Sequence, residues 1–245
     1  SDLESLLENH PLNPSLRSRA SALRQRLVQE AVSKYAQGGA AIDRPDDGRR
    51  RVLVTGQVED DRSILTGGGG KSNLDLIRRA RELEPDAWIV YKPHPDVEAG
   101  HRKGYVSQSD ALCFANEIQR DAAIVPLIES VDALHVITSL AGFEALLRGK
   151  QVTTHGVPFY AGWGLTRDLG AVPSRRSRRL TLDDLVAMTL LVYPRYLDPV
   201  TRLPCPAEVV VERLASGQGR VTSPLVHLRE WQGRLRLALR RLAGA

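Results

Sequence analysis

Cysteine is nearly absent: Cys113 and Cys205 are the only two in 245 residues. A disulfide framework is therefore excluded, and a reduced state is the expectation. Their separation does not match zinc-ligand spacing, His94 and His101 stand seven apart, and no metal site is expected. Long hydrophobic runs are missing too. No apolar stretch reaches the roughly 18 residues a membrane-spanning helix needs. The first residues, Ser1-Asp2-Leu3-Glu4, are acidic and lack the apolar core of a signal peptide. Lysine is scarce, 5 against 29 arginines. Aromatics make up only 5% of the chain. There is no internal repeat of fixed period, and no Gly-x-Ser-x-Gly nucleophile elbow. Gly67 to Gly70 before Lys71-Ser72 imitates the end of a P-loop, but Leu65 stands where that motif needs glycine.

What is present is an ordinary globular balance, 42% hydrophobic and 26% charged. A chain of this length can bury roughly 70% of its unfolded surface, so a real core is affordable. The net charge of +5 suits nucleic acid, an anionic membrane or a phosphate-bearing substrate without choosing among them. The basic run Ser174 to Arg179 comes with no nucleic-acid motif, so no nucleic-acid partner is expected.

The patterning divides the chain into three parts. Residues 1–39 read as two helices separated by His10-Pro11-Leu12-Asn13-Pro14, the second with a stripe at Leu16, Ala20, Leu23, Leu27 and Ala31 and stopped by Gly38 and Gly39. Residues 40–220 alternate short apolar runs with helical patterns. Strands are expected at 51–55, 87–91, 123–125, 133–137 and 151–155, and helices at 72–84, 110–120 and 139–147. Thr181, with Asp184 three positions on, marks a further helix start. A short helix is also expected over 206–214. Residues 221–245 read as a basic amphipathic helix opened by Ser223-Pro224. Continuous apolar strands alternating with helices predict an α/β fold: a parallel, Rossmann-like sheet covered on both faces, with additional helices at both ends. A ligand is then expected at the carboxyl ends of the strands.

Four segments carry chemistry. Gln57-Val58-Glu59-Asp60-Asp61-Arg62-Ser63 follows a strand, and a carboxylate there serves as nucleophile, base or simple helix cap. Tyr91-Lys92-Pro93-His94-Pro95-Asp96 follows another, with prolines restricting His94 and Lys92 adding charge for a phosphate. Thr138-Ser139 opens a helix whose free N–H groups suit a phosphate, with Glu144 one turn inside as a ribose contact or a surface acid. The fourth runs from Gly156 to Thr166 and holds three glycines and three aromatics. Tyr160 and Trp163 either stack on a base or sugar there or plug the rim of the sheet.

Together, Gln57-x-x-x-Asp61-x-Ser63, Lys92-Pro93-His94-Pro95, Thr138 to Leu146 and Pro158 to Gly164 resemble the capsular polysaccharide Kdo-transferase family of the KpsC type. Tyr193-Pro194-Arg195-Tyr196 and Asp198-Pro199 are similar to its carboxyl-terminal module, and the likeness runs from about residue 1 to 214. The resemblance implies one lobe of a GT-B-like glycosyltransferase: a retaining β-Kdo enzyme with CMP-Kdo as donor, a glycolipid acceptor and no cofactor. It makes Asp61 the nucleophile, with Gln57 beside it and Asp60 as the alternative. It assigns Lys92, His94, Thr138, Ser139, Glu144, Tyr160 and Trp163 to the CMP-sugar. A cytoplasmic location, peripheral on an anionic inner-membrane surface, goes with the lipid acceptor. The family's upstream Glu-Asp-Gly-Phe-like segment is not found in this sequence, so the expectation includes a first lobe or capsule-assembly proteins as partners. Two other readings are a transferase using a CDP-alcohol and a non-catalytic sugar-nucleotide or scaffold domain.

Overall fold

The computed structural model describes residues 1–33 and 47–218. Its centre is a parallel sheet of six strands, β1 Arg51–Thr55, β2 Trp88–Lys92, β3 Glu117–Ile118, β4 Ala133–Val136, β5 Gln151–Thr154 and β6 Arg167–Asp168. Their order across the sheet is β3-β2-β1-β4-β5-β6. All five residues of β1 are buried, as a central strand covered on both faces requires.

Successive side chains point to opposite faces. Leu53, Val90, Leu134 and Val136 enter one core, which also receives α1 Asp2–Asn9, α2 Pro14–Gln29, α7 Ile124–Glu129 and α8 Leu140–Leu147. Val52, Val54, Ile89 and Tyr91 enter the other, beneath α4 Asn73–Leu83 and α6 Gln108–Leu112. Each fully buried aliphatic side chain contributes about 1.5–3 kcal/mol. Two short helices, α3 Arg62–Gly67 and α5 Pro95–Glu98, lie directly after the turns that leave β1 and β2. The chain ends its described part with α9 Leu182–Val186, a π-helical turn Ala187–Val192, an antiparallel pair β7 Tyr196–Leu197 and β8 Pro204–Cys205, and α10 Ala207–Ala215.

Two expected elements differ. Residues 123–125 open α7 instead of forming a strand. Pro126 sits in the first turn of that helix, where its missing N–H has no intrahelical partner, and β4 already takes the place beside β1. The helix expected over 110–120 stops at Leu112, and Glu117–Ile118 pairs with β2 as an edge strand. Asn116 causes this: its backbone N–H donates to the Ile89 carbonyl, and its Oδ1 accepts from the Ile89 N–H at 2.8 Å. The Thr181 start is a capping box with Asp184. The helix expected after Ser223-Pro224 lies outside the described residues. The second N-terminal helix does not run on to Gly38 and Gly39: it ends at Gln29 with Glu30 as its C-cap, because Ala31 takes a left-handed φ of 48°, so Ala31 is not part of the helical stripe.

The arginines act as struts. Arg17 meets Asp184 at 2.6 Å, Arg24 meets Asp183 at 2.7 Å and Arg19 meets Glu208 at 2.6 Å, which fastens α2 to α9 and α10. The basic run after Pro173 is strapped to α1: Arg175 and Arg176 share Glu4, and Arg178 donates to the carbonyl of His10.

Candidate functional site

Connections from β1 through β3 run to one side of the sheet, while β4 returns to the other side of β1. The crevice of such a sheet opens where the strand order reverses, at the carboxyl ends of β1 and β4. Gln57 leaves β1 and Thr138 leaves β4, so the two residues straddle that crevice.

A chain of hydrogen bonds joins them. Gln57 Nε2 donates to Thr138 Oγ1 at 3.1 Å, and Gln57 Oε1 accepts from the Thr138 N–H at 2.8 Å. Thr138 Oγ1 donates to Ser63 Oγ at 3.3 Å, and Ser63 Oγ donates to Asp61 Oδ1 at 2.8 Å. Asp61 Oδ1 also accepts the Ser63 N–H, which makes Asp61 the cap of α3. Gln57 and Thr138 are buried while Asp61 is exposed, so the relay runs outward from the core to a carboxylate at the surface. Hydrogen bonds aligned in one direction polarise one another.

The acidic triplet thus splits three ways. Glu59 Oε1 accepts the Asn73 N–H at 2.7 Å, and Asp60 pairs with Arg102 at 3.1 Å. Asp61 is the member tied to the relay. Asn73 secures the loop by exchanging bonds with the Gln57 backbone at 2.8 and 2.7 Å and donating to the Gly104 carbonyl. Gly104 has φ +115°, and a Cβ there would lie 2.6 Å from Asn73 Nδ2, so glycine is required.

Lys92, His94 and Ser139 come together on a cleft of about 320 Å³ that also includes Gly56 and Arg120. His94 caps α5, its Nδ1 accepting the Asp96 N–H at 3.2 Å. That bond places the neutral ring's proton on Nε2. Lys92 Nζ donates to the Arg120 carbonyl at 3.1 Å. Burial pushes its pKa down, and Asp121 and Glu98 pull it back up. Ser139 caps α8 through its Oγ.

Three candidates sit elsewhere. Glu144 is buried, with one oxygen accepting from Ser33 at 2.9 Å and the other paired to Arg148 at 2.8 Å, so it is neither a surface acid nor part of the cleft lining. The rings of Tyr160 and Trp163 are wholly buried and present no face for a base or sugar to stack on. Tyr160 donates to the Ser139 carbonyl, and Trp163 donates to the Phe159 carbonyl at 2.8 Å. Their loop plugs the rim against α8. Gly142 is needed there because a Cβ would strike the Tyr160 hydroxyl. Sequence reasoning missed Asn73, Gly104 and Arg120. Each is distant in sequence from the loop or cleft it serves, and no local pattern marks it.

A family described as capsule polysaccharide biosynthesis protein matches residues 8–196. The chain belongs to this family. It is 46% identical over 215 residues to the capsule polysaccharide modification protein LipA of Neisseria meningitidis serogroup A, which covers 87% of this chain and 30% of LipA. It is 43% identical over 187 residues to the lipopolysaccharide-processing protein LpsZ of Rhizobium meliloti, covering 75% of this chain and 42% of LpsZ. The chain therefore spans less than half the length of these curated relatives. Among solved structures it resembles the β-Kdo 2,7 transferase of Thermosulfurimonas dismutans KpsC, with TM-score 0.75 and 37% identity over 89% of this chain and 68% of that one. The β-Kdo 2,4 transferase of the same KpsC gives TM-score 0.75 and 34% identity over 87% of this chain and 67% of that one. The fold of this capsule-family chain is accordingly the glycosyltransferase α/β fold of those modules, as the sequence resemblance implies.

Proposed function

We propose that this chain carries the donor-binding lobe of a retaining β-Kdo glycosyltransferase that builds the lipid linker of a capsular polysaccharide, with CMP-Kdo as donor. The observation that supports it most is the adjacency of two devices at the crevice of the sheet. One is the cleft of Lys92, His94 and Ser139; the other is the relay ending on Asp61.

In this reading the CMP phosphate lies in the cleft. His94 Nε2–H and the α8 N-terminus donate hydrogen bonds to it, and Lys92 supplies positive charge. Asp61 attacks the anomeric carbon as its bond to the phosphate oxygen breaks, and CMP leaves with that electron pair. A covalent ester between the sugar and Asp61 results. An acceptor hydroxyl then displaces Asp61 from the same carbon, and its proton passes to the released carboxylate. Two inversions give retention. The relay aims the Asp61 carboxylate, while Thr138 acts through Ser63 as a positioning residue.

Calorimetric titration with CMP and UMP tests this. CMP is expected to bind in preference to UMP, and His94→Ala to weaken CMP about tenfold, the loss of one charge-assisted hydrogen bond. Equal binding of both nucleotides, or CMP binding unaffected by His94→Ala, would overturn the assignment.

A further inference from the structure

Five side-chain nitrogen and oxygen atoms are buried without a hydrogen-bond partner among the described residues: Arg51 Nε, Thr55 Oγ1, His135 Nε2, and Arg148 Nε and Nη2. Of these residues, Thr55 alone lines the cleft of Lys92, His94 and Ser139. It is the last residue of β1 and is 4% exposed. A buried hydroxyl left unpaired destabilises a fold, and folded proteins keep few of them.

The strand register places a charge beside this hydroxyl. Thr55 pairs with Lys92 across the parallel β1–β2 ladder, as Leu53 pairs with Val90. Ladder partners point to the same face of a sheet. Leu53 and Val90 enter the core that α7 and α8 cover, so Thr55 and Lys92 stand side by side on that face. Lys92 is itself buried. Its ammonium carries three donors, one of which goes to the Arg120 carbonyl, and it makes no ion pair among the described residues. Asp121, the one acid in the lining, is exposed to solvent. On the wall formed by Ala122, Ala123, Ile124 and Ala141 there is no polar side chain. A hydroxyl and an ammonium side by side in a largely apolar recess are complementary to one anionic oxygen. Rotation about χ1 exchanges the Thr55 hydroxyl with its methyl group, so the hydroxyl can turn to an oxygen that enters the cleft.

We propose that Thr55 is a further binding residue of the cleft, its hydroxyl donating to a non-bridging phosphate oxygen of the bound nucleotide while Lys92 faces the charge on that oxygen. The inference rests on the donor reading above and deepens it: the phosphate is held from β1 as well as from the His94 turn and α8. Free and bound protein then have opposite needs for one hydroxyl. Without ligand it is an unpaired group that destabilises the fold; with phosphate bound it makes a charge-assisted hydrogen bond.

The test is Thr55→Val, which nearly keeps the volume and removes the hydroxyl, with Thr55→Ser as the variant that restores it. CMP, UMP and cytidine are titrated into each chain by calorimetry, and each chain is melted without ligand. Thr55→Val is expected to melt at or above the temperature of the parent, because it deletes an unpaired group. It is expected to bind CMP about tenfold more weakly, with cytidine affinity within about twofold of the parent. Thr55→Ser is expected to recover most of the CMP affinity. CMP affinity unchanged in Thr55→Val, or an equal loss for CMP and cytidine, overturns the proposal. So does a melting temperature several degrees below the parent, which would give the hydroxyl a partner in the free protein. Preference for CMP over UMP tests the donor reading, whereas the Thr55→Val effect is read from either nucleotide against cytidine, so each can fail while the other stands. A parent chain that binds no nucleotide overturns both.

Discussion

Thr138 satisfies both ends of the Gln57 amide and passes a hydrogen bond outward to Ser63. Thr138→Val keeps the shape but removes the hydroxyl, leaving the buried Gln57 Nε2 without that acceptor. The expected loss is about 1–3 kcal/mol in chemical denaturation, with CMP affinity nearly unchanged because the cleft belongs to the neighbouring residue. A variant as stable as the parent would show that the relay contributes nothing to folding. A second pair of residues sets an acid limit. His135 and His155 are buried together, with Nδ1 and Nε2 3.0 Å apart. Burial, and then the neighbouring His155, holds His135 down at about 3. Burial, and then Lys71 and Arg79, holds His155 at about 4. Arg50 and Arg167 also disfavour the charged forms, and Glu84 lies 3.7 Å from His135. Both folded values are below the unfolded value near 6.5, so the unfolded chain takes up protons first as pH falls. Stability is full above about pH 6.5 and declines toward pH 4, by up to about 1.4 kcal/mol per pH unit for each histidine. Denaturant midpoints measured between pH 7 and 4.5 check this, and a His155→Gln variant is expected to flatten the slope.

Among the elements, the short helices after β1 and β2 are built by their caps. Asp61 and His94 are each both the cap of a short helix and a candidate functional group. The same backbone need that a cap meets also fixes the direction of the side chain. Asp61→Asn keeps an acceptor oxygen for the Ser63 N–H and removes the charge. On the transferase reading proposed above, transfer by the enzyme that contains this lobe is expected to fall by at least a hundredfold while the melting temperature of the chain moves by no more than a few degrees, as seen by assay and thermal scan. Helix α8 shows the complementary constraint. Gly142→Ala drives a methyl into the Tyr160 hydroxyl, and a loss of about 1–3 kcal/mol in thermal unfolding is expected from overpacking.

At the scale of the whole molecule, the N-terminal helices are not an appendage. Leu7, Ala20, Leu23 and Leu27 belong to the same core as Leu53 and Leu134, and α2 is pinned to the last described helices by arginine–carboxylate pairs. Removing residues 1–33 exposes that apolar surface. The truncated chain is expected to be insoluble or to lose its cooperative melt, and a soluble chain with an unchanged melt would show that the sheet domain stands without them.

Strand positions 51–55, 133–136 and 151–154 were legible because short apolar runs bounded by turn residues leave few alternatives to a buried parallel strand. The helix starts at Ser139 and Thr181 were legible because capping is a local interaction. The motifs around Asp61, His94 and Thr138 were legible as strand-end loops, and the family followed from their order. What tertiary structure decided is which of these groups meet. Residues 123–125 and 117–118 took states set by the lane beside β1 and by Asn116 docking on Ile89, both non-local. Glu144 went to Arg148 and Ser33, and Tyr160 and Trp163 turned inward, because closing the core around α8 required buried partners. The relay from Gln57 to Asp61 spans 81 residues at its Gln57–Thr138 step, a pairing that sheet order creates and no local pattern encodes.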